Sequence, residues 1–379
     1  MTFPTVTTSG AARPSRGAPL VLHVFPTFAV GGAQVRFAAV ANRWGDRFRH
    51  AIVSLDGRTE CAARLAVPHT VLAAPDTKAR NFPQRLLSIR AALRRVGPDV
   101  LVTSNWGAIE WAIANLAPPR VRHVHTEDGF GPDEASGQKP RRMLARRLSL
   151  RRSTVVLPSG VLLRSAREAW LLPERGLRFV PNGVALSRFR PDGPPAALDV
   201  PGEGPVVGTV AALRREKNLG RLIRAVARLH REGMAVRLLV VGGGEERAAL
   251  EALARAEGLA DVNLFAGPIP DPAAAYRAMD VFALSSDTEQ MPFSVLEAMA
   301  TALPVVATRV GDVAGMVATE NAPHLADLDD GALADALRPL LTDATSRARL
   351  GAANRAKAER DYDEEAMFAT YAALWEGRA

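Results

Sequence analysis

The chain has 379 residues and a single cysteine, Cys61, so neither an internal disulfide framework nor a cysteine-rich zinc site is available to it. Cys61 itself reads as small apolar filler. No run of about 18 apolar residues is free of charge, which excludes a transmembrane helix of ordinary length. No short-period repeat recurs, which excludes a solenoid. Residues 1–18 are rich in Ser, Thr, Pro and Gly and lack the apolar core of a signal peptide; they read as a disordered tail. Acidic residues are scarce in the first half: residues 1–190 hold 12 Asp and Glu against 29 Lys and Arg.

The two halves therefore differ sharply, at +17 for residues 1–190 and −9 for residues 191–379, within a net charge of +8. Such asymmetry points to two units, the first meeting an anionic surface or substrate. A content of 47% hydrophobic and 23% charged residues is ordinary for a globular protein and excludes disordered and collagen-like chains. At roughly 100–200 residues per domain, the length suits two domains.

Short apolar runs rich in β-formers occur at 20–25, 50–55, 100–103, 121–125, 155–158 and 177–180. Helical patterns lie between several of them, at 33–44 and 83–96. A stretch dense in Pro and Gly, 190–205, reads as the boundary. The rhythm then restarts, with strands at 206–210, 237–241, 262–265, 281–283 and 304–307. Helices are expected at 219–232, 245–257, 273–278, 294–302 and 329–341, with two more in 345–375. Strands alternating with helices predict parallel sheets covered on both faces. In such sheets ligands sit beyond the carboxyl ends of the strands, so the chemistry should lie in loops that follow strands.

The strongest constellation is Glu289 and Glu297 within TEQMPFSVLEAMATALPVVAT. It follows a predicted strand. Pro292 suits a first helical turn, where free backbone N–H groups can meet an anion or a hydroxylated ligand. Two carboxylates can accept hydrogen bonds from two sets of vicinal hydroxyls; the pattern alone is equally that of a solvated acidic pair.

This segment resembles the E-x7-E motif of the retaining GT-B glycosyltransferases of family 4. Gly31-Gly32-Ala33-Gln34 is similar to that family's GGAE-type loop, and Val180-Pro181-Asn182-Gly183-Val184 to its PNGV turn. Val207-Gly208-Thr209-Val210 through Arg214-Arg215-Glu216-Lys217-Asn218 resembles its phosphate-binding segment. Leu239-Val240-Val241-Gly242-Gly243-Gly244 and Leu264-Phe265-Ala266-Gly267 fit in the same order, so the likeness spans about residues 20–375. It implies an α/β GT-B fold: two Rossmann-like doubly wound domains facing an inter-domain cleft. The domains would be 19–185 on the acceptor side and 186–358 on the nucleotide side, with a helix at 359–379 crossing back to the first.

The resemblance implies roles residue by residue. Glu297 would accept from the ribose hydroxyls of a nucleotide sugar, and Glu289 from hydroxyls of the donor sugar. Gln290, Met291, Pro292 and Phe293 would line the sugar and phosphate site. Lys217 would pair with the diphosphate, as leaving-group chemistry without a metal demands. Gly31 and Gly32 would let the backbone approach the diphosphate, and Ile269 would lie near the base. His125, in RHVHTEDGF, resembles the family's active-site histidine, and His123 should share its face of the strand. Glu127 and Asp128 are candidates for an acceptor hydroxyl. One departure matters: Ala212 stands where the family has an arginine on the diphosphate, which would pass that task to Arg214 or Arg215. Gln290 and Gly315 also depart from common family residues.

The basic stretch 139–152, KPRRMLARRLSLRR, has seven Lys and Arg and no acid. With Leu144 and Leu148 on one helical face, flanked by Arg141, Arg142, Arg146 and Arg147, it has the pattern of an interfacial helix for anionic lipid, or of a basic solvated face. No nucleic-acid motif accompanies the charge. The expectation is a retaining, metal-independent hexosyltransferase-like enzyme with no cofactor beyond a UDP- or GDP-sugar substrate. Its acceptor would be a lipid-linked or polysaccharide glycan, in cell-envelope synthesis, at the cytoplasmic face of the membrane. The alternatives are an epimerase-like or hydrolytic enzyme, a non-catalytic sugar-nucleotide-binding protein on the same fold, and a membrane-surface scaffold.

Overall fold

A computed structural model of the chain describes residues 6–7, 17–75, 81–118, 120–129, 137–269 and 271–378. The chain packs as two units, Met1–Pro181 with Ala366–Ala379, and Asn182–Glu365.

The first unit is built on a sheet of order β1-β4-β3-β2-β5-β6-β7-β8. Its strands are β1 (Val6–Thr7), β2 (Leu20–Phe25), β3 (Arg49–Ser54), β4 (His69–Leu72), β5 (Val100–Ser104), β6 (Arg122–Thr126), β7 (Thr154–Leu157) and β8 (Leu177–Phe179). All pairs are parallel except β1 with β4. Within 1–18, expected to be a disordered tail, Val6–Thr7 form an edge strand and Ala18 is buried; residues 1–5 and 8–16 lie outside the described residues. Side chains alternate as the pleat requires. Val21 and Phe25 face α1 (Gly32–Trp44) and α13 (Glu364–Glu376), while Leu22 and Val24 face α2 (Phe82–Val96) and α3 (Ile109–Ala114). Helices α4 (Pro140–Leu150) and α5 (Gly160–Glu168) continue the second layer. Asn81 starts α2 by accepting from the Gln84 N–H at 3.1 Å, and Ser159 starts α5 by accepting from Leu162. The end of α13 buries Met367, Phe368, Tyr371, Leu374 and Trp375. At about 1.5–3 kcal/mol for each large apolar side chain, that is ample to hold a helix added from the far end of the chain.

The second unit has an all-parallel sheet of order β11-β10-β9-β12-β13-β14. Its strands are β9 (Val206–Val210), β10 (Arg237–Val241), β11 (Asn263–Gly267), β12 (Val281–Leu284), β13 (Val305–Thr308) and β14 (Leu325–Ala326). One face packs on α8 (Ala273–Tyr276), α9 (Phe293–Ala300) and α12 (Ala344–Asp361); the other packs on α6 (Leu219–Arg231), α7 (Arg247–Ala256) and α11 (Asp330–Thr342). A short α10 (Val313–Met316) follows β13.

The units divide at 181/182, a few residues before 185/186. The stretch 190–205 is not a linker. The Ala196 N–H donates to the Ala274 carbonyl at 2.7 Å, Arg277 Nε donates to the Pro194 carbonyl at 2.8 Å, and Val200 is buried. Density in Pro and Gly marks the absence of regular structure there, not the absence of packing.

Candidate active site

Each sheet has one point where the strand order reverses. In the second sheet it lies between β9 and β12, and in the first between β2 and β5. At such a point the loops leaving two neighbouring strands diverge and open a crevice. Lys217, Glu289, Gly31 and Gly32 fall on or at the ends of these loops, whereas Glu297 lies in α9, Ile269 follows β11, and His125, Glu127 and Asp128 lie at the end of β6.

In the second unit the loop after β9 carries Lys217 and the loop after β12 carries Glu289. Lys217 Nζ lies 2.6 Å from Glu289 Oε1, which also accepts from the Ser286 hydroxyl at 2.7 Å. The two loops are laced together along their length. The Asp287 N–H donates to the Glu216 carbonyl at 2.9 Å, Ser285 Oγ to the Lys217 carbonyl at 3.1 Å, and Asn218 Nδ2 to Asp287 at 3.0 Å. Buried Arg221 donates to the Ser285 carbonyl at 2.7 Å, and Thr308 Oγ1 to the Ser286 carbonyl at 2.7 Å. The Asp312 N–H holds the Gln290 carbonyl at 2.9 Å. Glu289 thus stands on a loop braced by hydrogen bonds along its length.

Pro292 is the residue before α9, at φ −69° and ψ 125°, with Phe293 the first helical residue. This corrects its expected place in the first turn: the extended ψ turns the chain into the helix one residue later. Met291 is buried, and Asn182 donates to it twice, from its backbone N–H to Sδ at 3.2 Å and from Nδ2 to the carbonyl at 3.0 Å. Glu297 sits in α9, where Tyr276 OH donates to its Oε2 at 2.7 Å. Burial pushes the Glu297 carboxyl up to about 7; the Tyr276 hydrogen bond and Arg188 oppose the rise, and Asp271 adds to it. Ile269 is half-buried against the same core.

Ala212 is exposed on the β9 loop, as are Arg214 and Arg215. This loop is pressed against the one after β10. The Ala211 N–H donates to the Val241 carbonyl at 3.0 Å and the Leu213 N–H to the Gly243 carbonyl at 2.9 Å. Gly242 has φ +137°, and a Cβ there would run into the Ala211 carbonyl oxygen.

In the first unit, Gly31 precedes α1 in extended backbone that any residue adopts, φ −161° and ψ 168°, and Gly32 opens the helix. The close approach is elsewhere: a Cβ on Gly107 would lie 2.7 Å from the Pro26 ring, so the loops after β2 and β5 touch.

His125, expected to be an active-site histidine, is fully enclosed in this structure. Its Nδ1 lies 2.8 Å from Thr103 Oγ1 and its Nε2 lies 3.3 Å from Glu127 Oε2. His123 reaches the same hydroxyl, with Nε2 at 2.8 Å from Thr103 Oγ1 and Nδ1 at 2.7 Å from Ser153 Oγ. Burial pushes His123 down to about 3, with His125 adding to the effect. In the His125 tautomer that donates from Nε2 to Glu127, Nδ1 accepts from the Thr103 hydroxyl, which in turn accepts from His123.

Glu127 is likewise buried, not free on a loop. Arg146 Nε donates to its Oε2 at 3.1 Å, and the Arg146 guanidinium is stacked between Trp106 and Trp170 at 5.1 and 4.9 Å. Asp128 pairs with buried Arg36 at 2.5 Å.

Arg146 is therefore a core residue and does not belong to the basic face of α4. Arg142 is half-buried over Trp106 at 4.9 Å. The exposed face consists of Arg141, Leu144, Arg147 and Leu148, with Leu144 and Leu148 more than half exposed at 55% and 56%. A seven-cation run could not all face water on a helix that also packs on a sheet.

Sequence reasoning missed Tyr276, Ser286, Arg221 and Thr308. Tyr276 carried a signal, since a tyrosine in a core helix needs a partner for its hydroxyl.

Two doubly wound units of this kind make a GT-B α/β fold. The solved UDP complex of Alr3699/HepE from Anabaena superposes with a TM-score of 0.78 at 18% identity, over 94% of this chain and 99% of that one. The family model "Glycosyltransferase Family 4" matches residues 30–188, and "Glycosyl transferases group 1" matches residues 195–357. The chain belongs to the group 1, family 4 glycosyltransferases. Among curated relatives it is 30% identical to D-inositol 3-phosphate glycosyltransferase of Corynebacterium urealyticum, over 66% of this chain and 64% of that protein. It is 33% identical to a GDP-mannose-dependent α-(1-6)-phosphatidylinositol monomannoside mannosyltransferase of Mycolicibacterium smegmatis, over 54% and 58%. The match thus spans less than two thirds of these relatives' length. Among the described residues, no helix is long and apolar enough to cross a membrane.

Proposed function

We propose that the chain is a retaining glycosyltransferase that moves a sugar from a nucleotide-sugar donor to a hydroxyl of a lipid-linked or polysaccharide acceptor. The observation that carries this reading is the pairing of one cation, Lys217, with one of two carboxylates, Glu289 and Glu297, around the switch point of the second sheet. That set matches the chemistry of a nucleotide sugar: an anionic diphosphate between two polyols.

In this reading Lys217 meets the diphosphate, Glu297 accepts from the ribose hydroxyls, and Glu289 accepts from the sugar. The acceptor oxygen bonds to the anomeric carbon on the face from which the diphosphate oxygen leaves. The acceptor's proton passes to the departing phosphate oxygen, and Lys217 stabilises the charge that remains. The chain's own residues supply these roles without a metal. Asp128, at the carboxyl end of β6, belongs to the acceptor side, with the buried Glu127 and His125 behind it. The exposed face of α4 meets an anionic membrane surface from the cytoplasmic side, bringing a lipid-linked acceptor of the cell envelope within reach.

The test is a thermal-shift panel of UDP, GDP and their sugars. A selective rise in melting temperature, lost in Glu297→Ala, is expected; a flat panel refutes the donor site. Sedimentation with liposomes should show preference for anionic lipid, reduced in Leu144→Glu; equal binding to neutral vesicles refutes the membrane role. A second reading, a sugar-nucleotide-binding protein without turnover, is favoured by exposed Ala212 where the family carries an arginine. Selective binding with no transfer across a broad acceptor set would establish it.

A further inference from the structure

The closest charge pair at the candidate site is also the one the donor would have to break. Lys217 Nζ is 2.6 Å from Glu289 Oε1, with the lysine side chain 25% exposed and the glutamate 10%. Ser286 pins the same carboxylate oxygen at 2.7 Å. The braced loop leaves Glu289 little room to retreat. An ammonium held this way is not waiting empty for a diphosphate.

We infer that Glu289 and the diphosphate compete for Lys217, so that the free protein carries an internal anion where the substrate's anion will sit. This rests on the donor-site reading above and adds a consequence for selectivity and release. A nucleotide sugar takes Lys217 with its diphosphate and offers sugar hydroxyls that donate to the displaced carboxylate. The glutamate exchanges one ammonium for one or two hydroxyls and stays satisfied. A nucleoside diphosphate brings an anion with one further ionisable oxygen and no sugar. It leaves Glu289 partly buried, beside an anion and without a donor other than Ser286, and that arrangement is unfavourable.

The same carboxylate therefore discriminates between donor and product. Once the sugar has left on the acceptor, Glu289 loses its hydroxyl partners and reclaims Lys217, which loosens the nucleoside diphosphate. Glu289 then has two roles, holding the sugar before transfer and helping to eject the product after it.

Calorimetric titration of the full chain with UDP and with GDP, and with the sugar nucleotide that the thermal panel selects, tests this. Relative to the unmodified protein, Glu289→Gln should bind the favoured nucleoside diphosphate about tenfold more tightly. It should bind the sugar nucleotide no more tightly, and show stronger product inhibition. Glu289→Asp, which withdraws the carboxylate by one methylene, should tighten diphosphate binding by a smaller factor and guards against misfolding of the first variant. Lys217→Met should weaken both ligands. Equal or weaker diphosphate binding in both glutamate variants, with Lys217→Met weakened as expected, overturns the competition and leaves the donor site standing. Unchanged binding in Lys217→Met, or no nucleotide binding by the unmodified protein, overturns the donor-site reading with it.

Discussion

Glu297→Gln should make the protein more stable at alkaline pH and leave it unchanged in acid. Burial raises the Glu297 carboxyl from 4.5 to about 7, so its charged form is disfavoured in the folded state. A rise of that size corresponds to about 3 kcal/mol. The folded protein binds the proton more tightly than the unfolded chain does. Between about pH 4.5 and 7 it therefore holds more protons, and stability falls as pH rises through that window. The cost is complete above about pH 8 and absent below about pH 4. Glutamine keeps the shape and the acceptor for Tyr276 OH, 2.7 Å away, and carries no charge. Urea unfolding of both proteins from pH 4 to 9 should give a difference near zero at pH 4 that grows to about 3 kcal/mol in favour of Gln. A flat difference, or one that grows toward acid, refutes the reasoning. Donor affinity should run the opposite way, rising through pH 7, because the ionised carboxylate is the better acceptor for hydroxyls.

Tyr276→Phe keeps the ring among Phe189 and Phe282 but removes the hydroxyl that opposes the rise at Glu297. Donor KM at pH 7 should increase about tenfold with kcat little changed, and recover at pH 9; an unshifted acid limb in the pH profile would refute the link. His50 and His123 are pushed down to about 4 and about 3, each chiefly by burial, so their stabilising effect is present above 6.5 and lost as pH falls toward those values. At pH 5 each costs about 2 kcal/mol. All five tryptophans belong to the first unit, so tryptophan emission in urea should show its midpoint falling from pH 7 to 5. A constant midpoint would mean that these histidines are not held neutral. Gly242→Ala should lower stability by about 2–4 kcal/mol and weaken nucleotide binding, read by thermal shift, because the new Cβ drives the Ala211 backbone away from β10.

The strands and most helices were legible because their patterns are dictated by burial. Residues 20–25 and 206–210 are short apolar runs, and they are β2 and β9. The misses have a common physical cause. β4, flanked on its outer side by only the two-residue β1, has every side chain only partly buried, and β14 has two residues, so neither carries a strong apolar signature. The boundary error at 190–205 arose from reading Pro and Gly as a break in packing, where carbonyls and N–H groups from α8 and Arg277 bind that stretch to the second unit.

The site divided along a different line. Lys217 and Glu289 were legible as candidates because loop residues after strands carry chemistry that spacing can reveal, and Glu297, in α9, because of its fixed spacing from Glu289. What surrounds them is tertiary: Tyr276 is 21 residues from Glu297, and Arg146 is 19 from Glu127. Arg146 shows why a charge count along a helix misleads. Every arginine in 139–152 adds equally to the sequence charge, yet Arg146 turns inward to a buried carboxyl between two indole rings and Arg142 is half-buried over one of them, while Arg141 and Arg147 stay exposed. Burying that guanidinium is favourable only because Glu127 is buried with it, and removing either partner strands the other. The positive charge of α4 is thus split between two tasks. Arg141 and Arg147 stay exposed, and Arg146 holds Glu127 Oε2, the same oxygen that faces His125 Nε2.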